Sequence, residues 1–304
     1  MKILWYIHGY PPTHNAGAEW MAFDINEHLK QRNDVTVLCR NAQNGYQDGV
    51  NVLNYDITTA KSIVKEHDIV FTHLDFMGKA FNSCRVMGKH NLFVIVHNTN
   101  ENAILRRRQG QANVIYNSNY TAAMNYPQRS MILRPPIVPE RYRKPKTGEG
   151  AITLVNCWPD KGGDVLVKLA KLMPDRKFIG VLGGYGEQIQ GRLPNLEYVK
   201  NGTNMADVYA RTAILIQPSK YESYGKAACE AIATDTPVIC TATPGLIEAL
   251  DYAGIYAERD AEAYKEAIDR IDMEYQIELC QQRTAELVEQ TKQDLDTLTE
   301  FIKQ

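Results

Sequence analysis

The run AILIQPSKYESYGKAACEAIATDTPVICTA, residues 213–242, decides how the chain is read. An apolar run, a polar turn, a small-residue helix and a second apolar run succeed one another, and this is one βα unit feeding the next strand of a parallel sheet. Glu222 falls in the turn, and Glu230 lies about five residues into a helix expected over Gly225–Asp235. At 1.5 Å per residue that places the second carboxylate roughly 7.5 Å further along the helix axis. Such a separation suits two hydroxyl-bearing parts of one extended ligand, not a shared proton. The free backbone N–H groups near Tyr224 and Gly225 would face an anion between them. A sugar, a diphosphate and a ribose fill those three places in order. The plain alternative makes Glu222 a solvated loop charge and Glu230 a surface helix residue.

Working outward, apolar strand runs alternate with helical periodicity along most of the chain. Candidate strands are KILWYI, VTVLC, DIVFTH, LFVIVH and VIYN, and after Pro145 the pattern restarts with AITLVNC, KFIGVLG, LEYV, AILIQPS and PVICTA. The restart predicts an α/β protein with two doubly wound sheets, and the expected ligand site is the cleft between them, at the carboxyl ends of the strands. Between the halves lies RPPIVPERYRKPKTGEG, Arg134–Gly150, whose prolines block helix and whose charges are expected to stay solvated. The predicted domains are residues 1–147 and 148–271, with a helical segment over 272–304 packing across the boundary. Leu279, Leu287, Leu295 and Leu298 are among the few apolar anchors of that segment.

Composition fits this reading. A chain of 304 residues with 44% hydrophobic and 23% charged residues is long enough for two cores. The opening MKILWYIHGYPP has too short an apolar run for a signal-peptide core or a membrane span, so the expectation is a first strand and a cytoplasmic protein. The six cysteines stand far apart with no CxxC pair, and reduced core residues are expected. All seven histidines fall in the first 97 residues without an HxxxH or HExxH arrangement, so no metal site is expected.

Two further stretches bear on the ligand. In NCWPDKGGDVLVKLAKLMPD, Lys161 follows a strand and precedes a glycine pair opening a helix, where a lysine adds a point charge to the helix-start amides and glycines let a phosphate approach. In HGYPPTHNAGAEW, Gly17 and Ala18 start another helix with small residues. Either could also be an ordinary turn. GVLGGYG lacks GxGxxG spacing, because Ile189 stands where glycine or alanine is needed, and this argues against a dehydrogenase.

The order PPTHNAGAEW, LFVIVHN, DKGGDVLVKLA and QPSKYESYGKAACEAIATDTPVICTATPG resembles the retaining nucleotide-sugar glycosyltransferases of family 4, which have the two-domain GT-B fold. The resemblance covers most of the chain, and Glu222, seven residues, Glu230 is its most specific part. It implies an N-terminal acceptor domain, a C-terminal donor domain and transfer of a hexosyl group from a nucleoside diphosphate sugar with retention at the anomeric carbon. By that similarity Glu222 touches the donor sugar, Glu230 the ribose, and Lys161 with Gly162 the diphosphate, while Ser223, Tyr224 and Gly225 present amides. Gly17 and Ala18 match the glycine loop near the phosphates. His97 matches the histidine beside the transferred sugar, and His73 is a candidate for the acceptor side. No obligatory cofactor or metal is implied, and a uridine diphosphate sugar is the favoured donor. Many members carry an arginine before the lysine where this chain has Asn156 and Cys157, and the N-terminal domain is short, so acceptor recognition transfers least. A sugar-nucleotide epimerase of the same fold and a non-catalytic nucleotide-sugar-binding protein remain alternatives.

Charge points to the acceptor. Residues 1–147 hold 18 Lys+Arg against 11 Asp+Glu, whereas residues 148–304 hold 16 against 25, so the net charge of −2 conceals halves of +7 and −9. Arg106, Arg107 and Arg108 follow the His97 strand, and Arg134, Arg141, Arg143, Lys144 and Lys146 populate the linker. The expectation is an anionic glycan or lipid acceptor, with peripheral contact at the inner membrane surface, and nucleic acid second. A merely solvated basic face is the alternative.

Overall fold

The computed structural model describes residues 1–108, 110–123, 129–148, 150–184, 186–200, 202 and 204–304, without the side chains of 102 and 103. The chain divides into two compact units, Met1–Pro136 with Thr291–Gln304, and Ile137–Gln290.

The first unit is built on strands β1 (Lys2–Tyr6), β2 (Asp34–Cys39), β3 (Gly45–Gln47), β4 (Val50–Asn54), β5 (Ile69–His73), β6 (Leu92–Val96), β7 (Asn113–Tyr116) and β8 (Ser130–Ile132). They line up in the order β3-β4-β2-β1-β5-β6-β7-β8, and every pairing is parallel except β3 with β4. Strands buried on both faces read as continuous apolar runs, which is why KILWY and LFVIV were visible in the sequence. On one face Trp5 stacks on Phe71 with ring centroids 4.8 Å apart, and Phe301 meets Phe93 edge-on at 5.7 Å. Leu298, Phe301 and Ile302 belong to this same core.

The second unit has β9 (Ala151–Val155), β10 (Phe178–Val181), β11 (Leu196–Val199), β12 (Thr212–Gln217), β13 (Val238–Cys240) and β14 (Gly254–Tyr256). Their order, β11-β10-β9-β12-β13-β14, is all parallel. Crossing from β9 to β12 reverses the direction of winding, and ligands of such sheets bind at the carboxyl ends of the two strands flanking that switch. The helix after β12 spans Lys226–Ile232, shorter than the Gly225–Asp235 expected. Ala228 and Ala231 are fully buried, and these small residues let the helix lie close against Tyr209 and Leu246 in one core.

The linker differs from its sequence reading. The unit boundary falls at Pro136/Ile137 and not at 147/148, because the segment beyond it is bonded into the second unit. Ile137 and Tyr142 are buried in its core. Arg143 donates to the Ala233 carbonyl at 2.8 Å, Lys144 pairs with Asp207, and the Lys146 ammonium reaches the Tyr209 and Thr212 carbonyls at 3.1 Å each. Arg134, in the first unit, donates its backbone N–H to Asp294 at 3.0 Å. The linker cations therefore also tie the segment locally, while Arg143, Lys144 and Lys146 stay exposed as the sequence reading expects. The 272–304 segment is mainly one helix, Met273–Phe301. Cys280 and Leu287 sit in the second unit's core and Leu298 in the first unit's. All six cysteines are buried free thiols.

Candidate active site

In the second unit, two loops meet at the carboxyl ends of β9 and β12. The first turns through Asn156 at φ 71°, whose side-chain oxygen accepts the Trp158 N–H at 3.1 Å, then through a short 3-10 turn Pro159–Lys161 and Gly162 at φ 103°. A Cβ on Gly162 would lie 2.1 Å from Cγ of Pro218, and one on Gly163 would lie 2.1 Å from the Cys157 carbonyl oxygen. The glycine pair read from the sequence as a phosphate approach is thus demanded by the packing of the two loops themselves. Arg259, which the sequence reading overlooked, ties them further. It donates to the carbonyls of Pro159 at 2.7 Å and Pro218 at 2.8 Å and forks onto Asp164. Lys220 pairs with Asp160 at 2.8 Å.

These loops bring Lys161 and Glu222 into contact. Glu222 Oε1 accepts from Lys161 Nζ at 2.6 Å, Gln217 Nε2 at 2.8 Å and Ser219 Oγ at 2.9 Å, so the carboxylate is held by a cation and two neutral donors. Neither side chain of the ion pair is more than 22% exposed, which fixes both charges in one place. Gln217 is buried, and its side-chain amide oxygen has no hydrogen-bond partner among the described residues. Ser223, Tyr224 and Gly225 form the turn into the helix, with Gly225 at φ 104° and the Tyr224 ring in the core.

Glu230 is not the surface residue of the plain alternative. It is 9% exposed, its Oε1 accepts the Tyr142 hydroxyl at 3.0 Å and its Oε2 the Tyr209 hydroxyl at 3.0 Å, with Lys226 Nζ 3.7 Å away. Burial and the Glu230 charge push the Tyr209 hydroxyl well above its ordinary value, so it stays a donor. No motif marked Tyr142 or Tyr209, since they come from the linker and from the helix before β12.

In the first unit, His73 ends β5 and His97 follows β6, and His73 Nδ1 lies 3.0 Å from His97 Nε2. His97 keeps an edge at the surface, yet burial, partly offset by the Glu19 charge, lowers its pKa to about 4. Fully buried His73 is driven well below the ordinary histidine value by burial and by its histidine neighbours. Both are neutral imidazoles near pH 7. Glu101 anchors the loop: it accepts the His97 N–H at 2.5 Å and the Asn98 N–H at 3.1 Å. Gly17 opens the helix Gly17–Leu29, and a Cβ there would meet nothing within 4 Å, so Gly17 stands beside open space, with half-buried Ala18 next to it. His8 and Glu19, which lie within HGYPPTHNAGAEW but were assigned no role there, join this group at 3.1 Å. Burial acts to raise the Glu19 carboxyl, but the hydrogen bond and charge of His8 outweigh it and hold it below its ordinary value.

Arg106 and Arg107 are exposed, and the Arg108 guanidinium lies over the Phe81 ring at 4.8 Å. Among the described residues no helix is long and apolar enough to cross a membrane.

Residues 152–272 match the family model described as glycosyl transferases group 1. No curated protein matches the chain. A sucrose-phosphate synthase from Thermosynechococcus elongatus superposes with a TM-score of 0.80 at 16% identity, covering 99% of this chain and 98% of that one. Anabaena HepE, solved in complex with UDP and glucose, superposes with a TM-score of 0.74 at 15% identity over 98% of this chain and 99% of that one. WaaG, a glycosyltransferase involved in lipopolysaccharide biosynthesis, gives 0.74 at 14% over 98% and 100%. Residues 152–272 are therefore similar to the glycosyl transferases of group 1, on a chain that has the GT-B fold.

Proposed function

We propose that the protein is a retaining glycosyltransferase that moves a hexosyl group from a uridine diphosphate sugar to a hydroxyl acceptor. The observation carrying this reading is the contact of Lys161 with Glu222 in two interlocked loops at the switch point of the second sheet. The UDP and UDP-glucose complexes of Anabaena HepE support the choice of donor. In this reading the second unit binds the donor, and the first, with His73 on the acceptor side, binds the acceptor.

An ammonium has three donors, so Lys161 can keep Glu222 and still meet a diphosphate oxygen. Its main work comes as the leaving diphosphate gains charge, the moment at which a fixed cation lowers the barrier most. Glu222, held rigid by Gln217 and Ser219, takes the hydroxyls of the transferred sugar, and the unpartnered side-chain oxygen of Gln217 lies beside it as a further acceptor. Glu230, oriented by Tyr142 and Tyr209, takes the ribose, and the amides of Ser223 to Gly225 face the phosphates. Gly17 and Ala18 leave room for the donor, and His97, neutral near pH 7, orients the transferred sugar. The two glutamates serve binding, unlike the carboxylates of a retaining glycosidase, which stand about 5 Å apart across one bond. The acceptor enters on the face from which the diphosphate departs, which retains the configuration. None of these steps calls on a metal.

The exposed Arg106 and Arg107, with Arg108 beside them, favour an anionic acceptor, a glycan or a lipid headgroup at the cytoplasmic membrane surface.

The test is transfer from a panel of nucleoside diphosphate sugars, with the anomeric configuration of the product read by NMR. Retention with a uridine diphosphate donor, and a Lys161→Ala variant that loses turnover more than donor affinity, are the expected results. An inverted product, or a donor sugar altered without acceptor, would overturn the reading. Raising salt from about 50 to 200 mM should depress transfer and spare donor hydrolysis if the acceptor is a polyanion.

A further inference from the structure

The geometry points to a divalent-cation site of zinc type in the first unit, held by His8, Glu19 and His73. These three residues come from separate segments: His8 follows β1, Glu19 lies in the first turn of the helix Gly17–Leu29, and His73 ends β5. One ligand atom from each lies within 4.8 Å of the others. Around a four-coordinate zinc with bonds of about 2.0–2.2 Å, ligand atoms stand roughly 3.3 Å apart, so small inward rotations of the side chains close the set.

Three independent features make this a prepared site rather than a chance cluster. Glu19 and His73 are 1% and 0% exposed, yet His73 Nε2 and Glu19 Oε2 have no hydrogen-bond partner, and Glu19 Oε1 meets only His8 Nε2, at 3.1 Å. Leaving such atoms buried and unmatched is costly, and a cation at their focus satisfies them together. Secondly, His73 Nδ1 is already engaged by His97, which leaves Nε2 as the atom able to bind a metal. An outer partner on the second ring nitrogen is the usual support of a ligating histidine. Thirdly, the donor set is two imidazoles and one carboxylate, borderline ligands that suit zinc and its first-row neighbours and leave a coordination position open. The exposed His14, whose ring lies 4.9 Å from that of His8 and edge-on to it, flanks the group on the solvent side.

The arrangement clamps the ends of β1 and β5 to the helix start and fixes the proton of His73 on the nitrogen facing His97. This inference does not rest on the proposed reaction. A zinc ion can bind whether or not the chain transfers a sugar.

The experiment uses the full chain stripped with a chelator and then dialysed against micromolar Zn2+, with metal measured per chain. One zinc per chain and a raised melting temperature are expected. His8→Asn and Glu19→Gln should each weaken zinc binding at least the roughly 10- to 100-fold that loss of a supporting partner costs in known sites. Their metal-free melting curves, compared with the metal-free wild type, show whether each still folds. X-ray absorption at the zinc edge of the wild-type chain gives a second readout that needs no variant: imidazole and oxygen scattering without sulfur is expected. No uptake by the stripped chain, uptake that persists in both folded variants, or a sulfur shell from the buried cysteines would overturn the proposal. In the first case His8 and Glu19 form a simple ion pair.

Discussion

Replacing Glu101 by glutamine should remove a pH dependence that the wild-type protein carries inside its first unit. Glu101 is 6% exposed, and its Oε2 accepts two backbone N–H groups while Oε1 is buried without a partner. Burial, offset in part by those N–H groups, pushes its carboxyl up from the ordinary 4.5 to about 7. A raised value means that the folded state holds the proton where the unfolded chain has lost it. The associated stability is fully present below pH 4.5 and is lost as the pH rises through 7. At 1.36 kcal/mol per pH unit, the shift is worth about 3 kcal/mol. Glutamine keeps an acceptor for the two N–H groups and cannot ionise. Urea unfolding of both proteins, in a Trp158→Phe background so that emission reports on Trp5 and Trp20, gives the difference in stability across this range. That difference should swing by about 3 kcal/mol toward the glutamine variant between pH 4.5 and about 8. A difference constant to within about 0.5 kcal/mol, the scatter of neutral substitutions, would refute the reasoning.

Two glycines should separate packing from ligand approach: Gly162→Ala, at positive φ and against Pro218, should destabilise the second unit by about 1–3 kcal/mol, whereas Gly17→Ala should leave melting almost unchanged while lowering transfer. Calorimetry beside an activity assay checks both, and a Gly17→Ala enzyme of full activity would remove that position from the donor site. Tyr209→Phe deprives the buried Glu230 of a charge-assisted hydrogen bond and should cost about 1.5–3 kcal/mol of stability, with weaker UDP binding by titration calorimetry. Unchanged nucleotide affinity would detach Glu230 from the ribose.

Strands buried on both faces were legible because nothing but continuous apolar side chains can fill such positions, and all ten expected runs became strands. Of the strands that escaped notice, β3, β8 and β14 have three residues each and lie at sheet edges, where exposure erases the signal, and β4 alternates buried with half-buried positions. The Lys161 and Glu222 loops could be read because each follows a strand and precedes a helix within a few residues. Tyr142, Tyr209 and Arg259 could not, since their roles depend on contacts between distant segments. The same holds for His8, Glu19 and His73: a search for two histidines at helical spacing finds nothing when the ligands converge from three elements. The bonds of the linker were hidden for a related reason. A lysine or arginine looks identical in sequence whether its head meets water or, as in Lys146, a set of buried carbonyls.

The helix Met273–Phe301 begins in the second unit and delivers Leu298, Phe301 and Ile302 to the core around Trp5 and Phe93. The first unit is thus made of two pieces of chain separated by 154 residues, Ile137–Gln290. On the ribosome its sheet emerges early, but part of its hydrophobic filling arrives only with residues 291–304. Until then, the surface that Phe301 will cover on Phe93 is open to water and to other nascent chains. The order of synthesis is therefore the reverse of the order of completion: the unit translated first is sealed last, after the second has had all of its own residues.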